Sequence, residues 1–387
     1  MGEIIFKTTF WTSAFLLFYT FFGYPIFLNV VTSFIKRNLS NNDDKESDEL
    51  PFVSLLIPVF NEESVIRRKI ENSLLLDYPR SKMEIVVASD GSTDSTNMMI
   101  SAYSRKEIRI IIYKKRRGKS EVINRTVPKL IGEIVIFSDA SAMLDSDAIK
   151  KIIEDFGDPH VGCVSGKYVV LNGDESNRGD GEGMYFKYET NIKSKESEYN
   201  SILGAHGSLY GIRKKLFKPL EKGTINDDYI IPMQIVDQGF RSVYENNAIA
   251  KETARTTIEG EMKRRIRINI GNIQQLFLLR HLLNPLKGKI AFQFISHKLL
   301  RILSPLLIFA MLISSMISEG VFYRIVFVMQ LSFYSLGIIN YYLEKRNIKI
   351  KILSIPFYFT FGSTAILRGI YKYFNMERSV LWDKVDA

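Results

Sequence analysis

Three acidic stations stand where side-chain chemistry is easiest to arrange. The run Glu133 to Ser141 (EIVIFSDAS) carries apolar residues that read as a buried parallel strand and delivers Asp139 to that strand's carboxyl end. In an open α/β sheet, ligands sit at that edge. Glu84 to Ser89 (EIVVAS) does the same for Asp90, and Asp227 with Asp228 follows in a polar turn. Carboxylates so placed suit a divalent metal, a nucleotide and a base. Asp139-Ala140-Ser141 sets a carboxylate and a hydroxyl two residues apart, so both can face one ligand. Such hard oxygen ligands suit Mg²⁺ or Mn²⁺ bridging to phosphates. Helix capping is the plain alternative for Asp139, Asp227 and Asp228 alike.

Other polar clusters flank these stations. Pro58-Val59-Phe60-Asn61-Glu62-Glu63 ends a strand and starts a helix, with Asn61 as a candidate N-cap and the glutamates favoured at the positive helix end. Asp90-Gly91-Ser92-Thr93-Asp94 follows its strand with a glycine for a tight turn and small hydroxyls that leave room for a ribose or base. Gly118-Lys119-Ser120 looks like the end of a phosphate loop, but Tyr113 stands where that motif needs its first glycine. A lysine at a helix start can still hold a diphosphate by charge and backbone donors. His206 lies in Gly204-Ala205-His206-Gly207-Ser208, where glycines allow close approach to a substrate or simply a tight turn. Arg264-Arg265-Ile266-Arg267 precedes a membrane interface and can face lipid headgroups. The 4 histidines are scattered and suggest no zinc site, and the single cysteine excludes an intrachain disulfide.

The elements that must position these groups alternate from Pro51 onward. Strands are expected at Phe52–Val59, Glu84–Ser89, Ile108–Tyr113, Ile134–Ser138 and Val161–Leu171, with helices at Glu62–Leu76, Asp94–Tyr103, Lys119–Leu130, Asp145–Phe156 and Tyr229–Val236. That rhythm predicts an α/β fold with a mostly parallel sheet covered by helices on both faces. Gly173 to Gly183 is a glycine-rich, acidic stretch that reads as a surface loop or a substrate gate.

The rest of the 387 residues is membrane. Phe10–Ile35 is long enough for the about 20 residues a spanning helix needs. Ile302–Ile317 and Val321–Leu343 form a candidate hairpin around Ser318-Glu319-Gly320, and Ile352–Ile370 can span or lie partly re-entrant. Ile290–Leu300 suits an interfacial helix. The expected divisions are a membrane helix at 1–37, a linker at 38–50, a catalytic domain at 51–283, an interfacial segment at 284–301, a membrane region at 302–370 and a tail at 371–387. Lys36, Arg37, Lys345, Arg346, Lys349 and Lys351 collect beside the spans, which places the large domain in the cytoplasm. The net charge of +10 fits a domain held against anionic lipid and handling phosphates. Basic residues spread along membrane flanks do not suit nucleic acid.

Taken in order, these pieces resemble the family 2 glycosyltransferases, which have the GT-A fold, in particular the membrane-embedded branch that includes cellulose, hyaluronan and poly-N-acetylglucosamine synthases. The resemblance covers Pro51 to about Leu283 and rests on the order and spacing of the motifs. It implies that Pro58, Asn61, Glu62 and Asp90 belong to the nucleotide pocket and that Gly118, Lys119 and Asn124 help hold the donor. Asp139 then binds the donor diphosphate through Mg²⁺ or Mn²⁺, with Ser141 in place of the second aspartate of Asp-x-Asp. His206 and Gly207 fall in the acceptor-side loop, Asp228 becomes the general base and Asp227 precedes it. Where processive members carry Gln-x-x-Arg-Trp, Arg264, Arg267 and Ile268 stand here, so only the arginine is kept.

The resemblance therefore implies a membrane-bound inverting glycosyltransferase that uses a nucleotide-diphosphate sugar, a UDP-sugar first, on a glycan or lipid-linked acceptor in extracellular polysaccharide synthesis. Other synthesis or export subunits are candidate partners. The alternatives are single addition onto a polyprenyl phosphate or diglyceride, and a non-catalytic nucleotide-binding scaffold subunit.

Overall fold

The computed structural model describes residues 2–35, 50–103, 108–171, 180–253, 257–346, 348 and 350–375. The expected linker (but for Leu50), Lys36, Arg37, Lys349, most of the loop at 173–183 and most of the tail lie outside them.

Among the described residues, eight strands form one sheet: β1 (Val53–Val59), β2 (Met83–Asp90), β3 (Ile108–Tyr113), β4 (Ile134–Phe137), β5 (Met143–Leu144), β6 (Val161–Leu171), β7 (Tyr210–Arg213) and β8 (Arg241–Thr253), in the order β3-β2-β1-β4-β7-β6-β8-β5. All of β1 is buried, as expected of a strand covered on both faces. Its residues alternate between two cores: Val53, Leu55, Ile57 and Val59 on one face, Leu56 on the other. Pro58 lies past the last β1–β4 pair, Leu56 with Phe137, so its missing N–H breaks no rung there.

The sheet is parallel from β3 through β2 and β1 to β4, then turns mixed. β7 is antiparallel to both β4 and β6, β8 is parallel to β6, and β5 is antiparallel to β8. This qualifies the mostly parallel sheet expected from the alternation. The four residues of β7 are too short a run to announce themselves, and they enter the sheet only after the strand–helix rhythm has ended.

The helices are α1 (Gly2–Phe34), α2 (Ile66–Leu74), α3 (Thr96–Ser101), α4 (Lys119–Thr126), α5 (Ala148–Asp155), α6 (Asp180–Tyr199), α7 (Asp227–Asp237), α8 (Ile258–Leu278), α9 (Lys289–Ile317), α10 (Val321–Lys345) and α11 (Ser354–Phe374). α2 starts four residues later than the sequence reading has it. Val65 and Ile66 both donate to the Glu62 carbonyl in a turn, and Asn61 takes φ 53, so Asn61 is not the N-cap.

Among the described residues, α1, α9 and α10 are long and apolar enough to cross a membrane. The stretch read as an interfacial helix, Ile290–Leu300, runs without a break into α9. α11 buries Phe357, Phe361, Ala365, Gly369 and Tyr373, one row four residues apart. That row meets α8, where Tyr373 stacks on Phe277 at 5.5 Å and the Arg265 guanidinium lies 5.7 Å from the Phe361 ring centre.

The apolar helices meet the sheet domain through α6. Tyr24 of α1 donates to Glu196 Oε1 at 2.7 Å, and His297 Nδ1 of α9 lies 2.7 Å from the same oxygen. Arg301 pairs with Glu189. α1 and α9 each widen to a π turn beside this contact, at Tyr19–Gly23 and Phe294–Leu299, and Tyr19 and Ser296 bond at 2.8 Å. Tyr24, Leu28 and Ile192 close an apolar shell around it. Burial opposes the charge of Glu196, but His297 and Tyr24 outweigh it and hold the carboxyl below its usual range.

Candidate active site

The ends of β2 and β4, the loop before α4, the loop before β7 and the start of α7 converge on one edge. Asp90 closes β2 and is buried. Its Oδ1 accepts from the Arg117 N–H at 2.9 Å and its Oδ2 from the Gly118 N–H at 2.7 Å. Burial raises the Asp90 carboxyl above its usual value, with those two donors pulling it back. Gly118 takes φ 95, a conformation that glycine reaches cheaply, and α4 begins at the next residue. Asp90 therefore shapes the turn that aims Lys119.

Lys119 is the hub. Its Nζ donates to Asp139 Oδ1 at 2.9 Å and lies 3.3 Å from Asp227 Oδ2. Burial works against the ammonium, but Asp139, Asp227 and Asp228 outweigh it and hold Lys119 above its ordinary value. Asp227 and Asp228 open α7, where the positive end of the helix favours carboxylates. Burial pushes Asp227 up to about 6 and raises Asp228 as well, with Lys119 pulling both down.

Gly207 separates the two halves of this acid cluster. Its N–H donates to Asp228 Oδ2 at 3.1 Å. A Cβ added there would lie 3.1 Å from Asp228 Oδ2 and 3.2 Å from Asp139 Oδ2, so only a glycine leaves the gap between these carboxylates open. Arg267 on α8 faces the same cluster: burial lowers its guanidinium, and Asp227 and Asp228 act the other way. Ser141 is half-buried in the turn after Asp139.

Other expected site residues sit at the margins. Asn61 donates its backbone N–H to Ser92 Oγ at 3.1 Å and accepts from Thr93 N–H at 2.8 Å, while the Glu62 N–H donates to Thr96 Oγ1 at 2.8 Å. These bonds stitch the loop after β1, next to Pro58, to the loop after β2. The Asn124 amide makes two bonds to the Leu220 backbone, at 2.9 and 2.8 Å. Arg264, one turn before Arg267, is 3.6 Å from Glu261. Burial opposes its charge, but Tyr168, Glu261 and Glu252 raise it above its ordinary value. His206 holds its ring near Tyr168 and Tyr244, and its buried Nε2 has no hydrogen-bond partner among the described residues. Burial, then Lys193, push its imidazole well below the ordinary value, so it is neutral.

Further residues contribute, and two of them, Lys69 and Lys193, escape the sequence reading. Arg116 lies 3.9 Å over the Phe60 ring and closes the outer edge of the β1–β2 loops. Asn226 bonds to the Ile268 carbonyl at 3.2 Å and to Asn272 at 3.3 Å, tying the start of α7 to α8. Lys69 and Lys193 are buried behind the site. Lys69 offered one signal, its place between Ile66 and Ile70 on the buried face of α2.

No three His, Cys, Asp or Glu side chains converge as a metal-binding set among the described residues. Gly207 nevertheless brings Asp139 Oδ2 and Asp228 Oδ2 together, 3.2 and 3.1 Å from where a Cβ on it would stand. Mg²⁺ and similar ions are commonly held by one or two carboxylates plus substrate phosphates, and Asp139 is a carboxylate of that kind.

The family model described as glycosyl transferase family 2 matches residues 54–220, the span from β1 through β7. Poly-beta-1,6-N-acetyl-D-glucosamine synthase of Staphylococcus aureus is 28% identical over 298 residues, which cover 71% of this chain and 68% of that protein. Beta-monoglucosyldiacylglycerol synthase of a Nostoc species is 30% identical over 131 residues, 33% of this chain and 28% of that protein. Among solved structures, a mannosyltransferase of Pyrobaculum calidifontis, in complex with GDP-Man and Mn²⁺, superposes with a TM-score of 0.67 at 18% identity, covering 94% of this chain and 98% of that one. At that identity the likeness is one of fold, and the fold is GT-A-like. Residues 54–220 thus form a family 2 glycosyltransferase domain.

Proposed function

We propose that the protein transfers a sugar from a UDP-sugar to a glycan or glycolipid acceptor at the membrane, with inversion at the anomeric carbon, in extracellular polysaccharide synthesis. The observation that carries this reading is the glycine-lined gap between Asp139 and Asp228. An acceptor hydroxyl in that gap gives its proton to Asp228 as its oxygen bonds to the anomeric carbon. The bond from that carbon to the diphosphate breaks, and the nucleoside diphosphate leaves with the electron pair. Lys119 and Arg267 supply positive charge beside the leaving group, and the Gly207 N–H orients Asp228. Mg²⁺ or Mn²⁺, held by Asp139 and the donor phosphates, would neutralise the developing diphosphate charge. Pro58, Asn61, Glu62 and Asp90 are assigned to the nucleotide side and His206 to the acceptor side. The basic residues at the ends of the apolar helices support a cytoplasmic catalytic domain in a multi-pass protein.

A second reading, single addition onto a polyprenyl phosphate or diglyceride, is favoured by one observation. Arg264, Arg267 and Ile268 stand where the processive pattern has Gln, Arg and Trp, so neither its Gln nor its Trp is kept. Product length separates the two: a ladder supports extension, one sugar per acceptor supports single addition.

The test incubates the detergent-solubilised full chain and Asp228→Asn with UDP-sugars, membrane lipids and Mn²⁺. Nucleoside diphosphate release by the wild type, largely lost in Asp228→Asn, is the expected result. Equal release from both would move the base elsewhere, and no release from the wild type would sink the proposal. The anomeric configuration of the product, read by NMR, checks inversion.

A further inference from the structure

We infer that two buried lysines outside the reacting set, Lys69 and Lys193, are positioning residues that clamp the loop Gly204–Ser208 at its two ends and thereby fix the spacing of Asp139 and Asp228. The inference deepens the functional reading above and rests on it.

At one end, Lys69 of α2 is completely buried. Its Nζ donates to Ser138 Oγ at 2.6 Å and to the Ala142 carbonyl at 2.5 Å, bridging from beneath the turn that presents Asp139. Ser138 Oγ in turn donates to the Ser208 carbonyl at 2.8 Å. One ammonium thus ties the Asp139 turn to the end of the loop. At the other end, Lys193 of α6 donates to the Gly204 carbonyl at 2.6 Å.

Two of the three backbone donors between the anchors reach Asp228. The Ala205 N–H donates to the Asp228 carbonyl at 2.8 Å, the His206 N–H to Ser165 Oγ at 3.0 Å, and the Gly207 N–H to Asp228 Oδ2 at 3.1 Å. Both lysines donate to carbonyl and hydroxyl oxygens. Burying a lysine amino group is costly even with carboxylates such as Asp139 and Glu196 nearby, and an apolar side chain would fill either place at lower cost. What an apolar side chain cannot do is fix two chain segments by directed donors.

The two anchors have separable consequences. Lys69 controls the turn of Asp139, on the donor side, whereas Lys193 controls the segment that orients Asp228, on the proton-transfer side. The experiment uses the full chain in detergent and compares Lys69→Met, Lys193→Met and Ser138→Ala with wild type. It measures the Kd for UDP with Mn²⁺ by calorimetry, kcat and donor KM by nucleoside diphosphate release, and thermal melting.

Lys69→Met should weaken UDP·Mn²⁺ binding and raise donor KM about tenfold, while Lys193→Met should lower kcat about tenfold with the UDP·Mn²⁺ Kd within about twofold of wild type. Ser138→Ala should raise donor KM about threefold and add nothing in the Lys69→Met background, because both act through one chain of bonds. Wild-type Kd and kcat in folded variants would overturn the inference. So would losses in every parameter that track only the folded fraction. If a methionine variant fails to fold, Ser138→Ala and Lys193→Gln, which remove less, carry the test, and wild-type kinetics from both overturn it. Wild type that neither binds UDP·Mn²⁺ nor turns over a UDP-sugar overturns the functional reading itself.

Discussion

Replacing Gly207 by alanine adds one carbon at the point where Asp139 and Asp228 face each other. The new Cβ would stand 3.1 Å from Asp228 Oδ2, 3.2 Å from Asp139 Oδ2 and 3.6 Å from Asp228 Cγ. Two of these contacts are tighter than ordinary van der Waals contact, so both carboxylates must retreat by a few tenths of an ångström. Carboxylates turn readily, and the cost to folding should stay near 1 kcal/mol, the low end for overpacking. Activity should suffer far more. The retreat lengthens the 3.1 Å bond from the Gly207 N–H that orients Asp228, and the methyl group occupies the space assigned to the acceptor hydroxyl. Misplacement on the scale of an ångström costs about 10²-fold, or about 2.7 kcal/mol of barrier, and that is the expected loss in kcat/KM. The assay is initial-rate release of nucleoside diphosphate, paired with thermal melting of the same preparation. Gly362→Ala on α11 serves as the control, since its Cβ would meet nothing within 4 Å, and it should keep wild-type rates. Gly207→Ala within about threefold of wild type in kcat/KM would refute the reasoning, because reacting groups cannot share a gap that tolerates a methyl group.

Three further perturbations follow from the same geometry. Asp90→Asn replaces one of the two oxygens that accept from Arg117 and Gly118 with an NH₂ group facing a donor, which should cost about 2 kcal/mol in stability and raise donor KM, read by melting and rate measurements. The Asp227–Asp228 pair should set the acid limb of the rate profile: burial raises both carboxyls, and a protonated Asp228 cannot take the acceptor's proton, so kcat/KM should fall with pH from above the ordinary carboxylate range. Stability runs the other way, because a carboxyl raised above its unfolded value of 3.8 contributes most below 3.8 and loses that contribution as pH rises through about 6. A rate that stays flat down to about pH 4.5 would contradict the assignment. Tyr24→Phe removes the hydroxyl that donates to Glu196 at 2.7 Å in a buried setting and should lower stability by about 1 to 3 kcal/mol in detergent melting, with an unchanged melting point as the contrary result.

How much of this was legible in the sequence depends on how local the cause is. Asp90 and Asp139 could be found because each ends a run of apolar β-formers, and such a run is itself the signature of a strand covered on both faces. Lys119 could be found because the glycine before it marks the start of a helix. The direction of β7 could not, since four residues carry no periodicity and their partners β4 and β6 lie far off in the chain. Asn61 was misjudged as an N-cap for a related reason. The residue type fits a cap, but the groups that claim its side chain and backbone, Thr93 and Ser92, come from the next strand's loop.

The inner face of α6 makes the same point about charge. Glu189, Lys193 and Glu196 recur at helical spacing within a strongly polar segment, and on composition alone they read as a solvated face. They are nevertheless drawn inward, because the groups that compensate them arrive from other parts of the chain: Tyr24 from α1, His297 and Arg301 from α9, and the Gly204 carbonyl from the loop beside Asp228. A charge that finds its partner only after the chain has folded leaves no pattern in its own neighbourhood. That is also why the helices flanking the catalytic domain are more than an anchor. Tyr24 of α1 and His297 of α9 hold Glu196, and Glu196 lies one turn along the same face of α6 from Lys193, which holds the loop that orients Asp228.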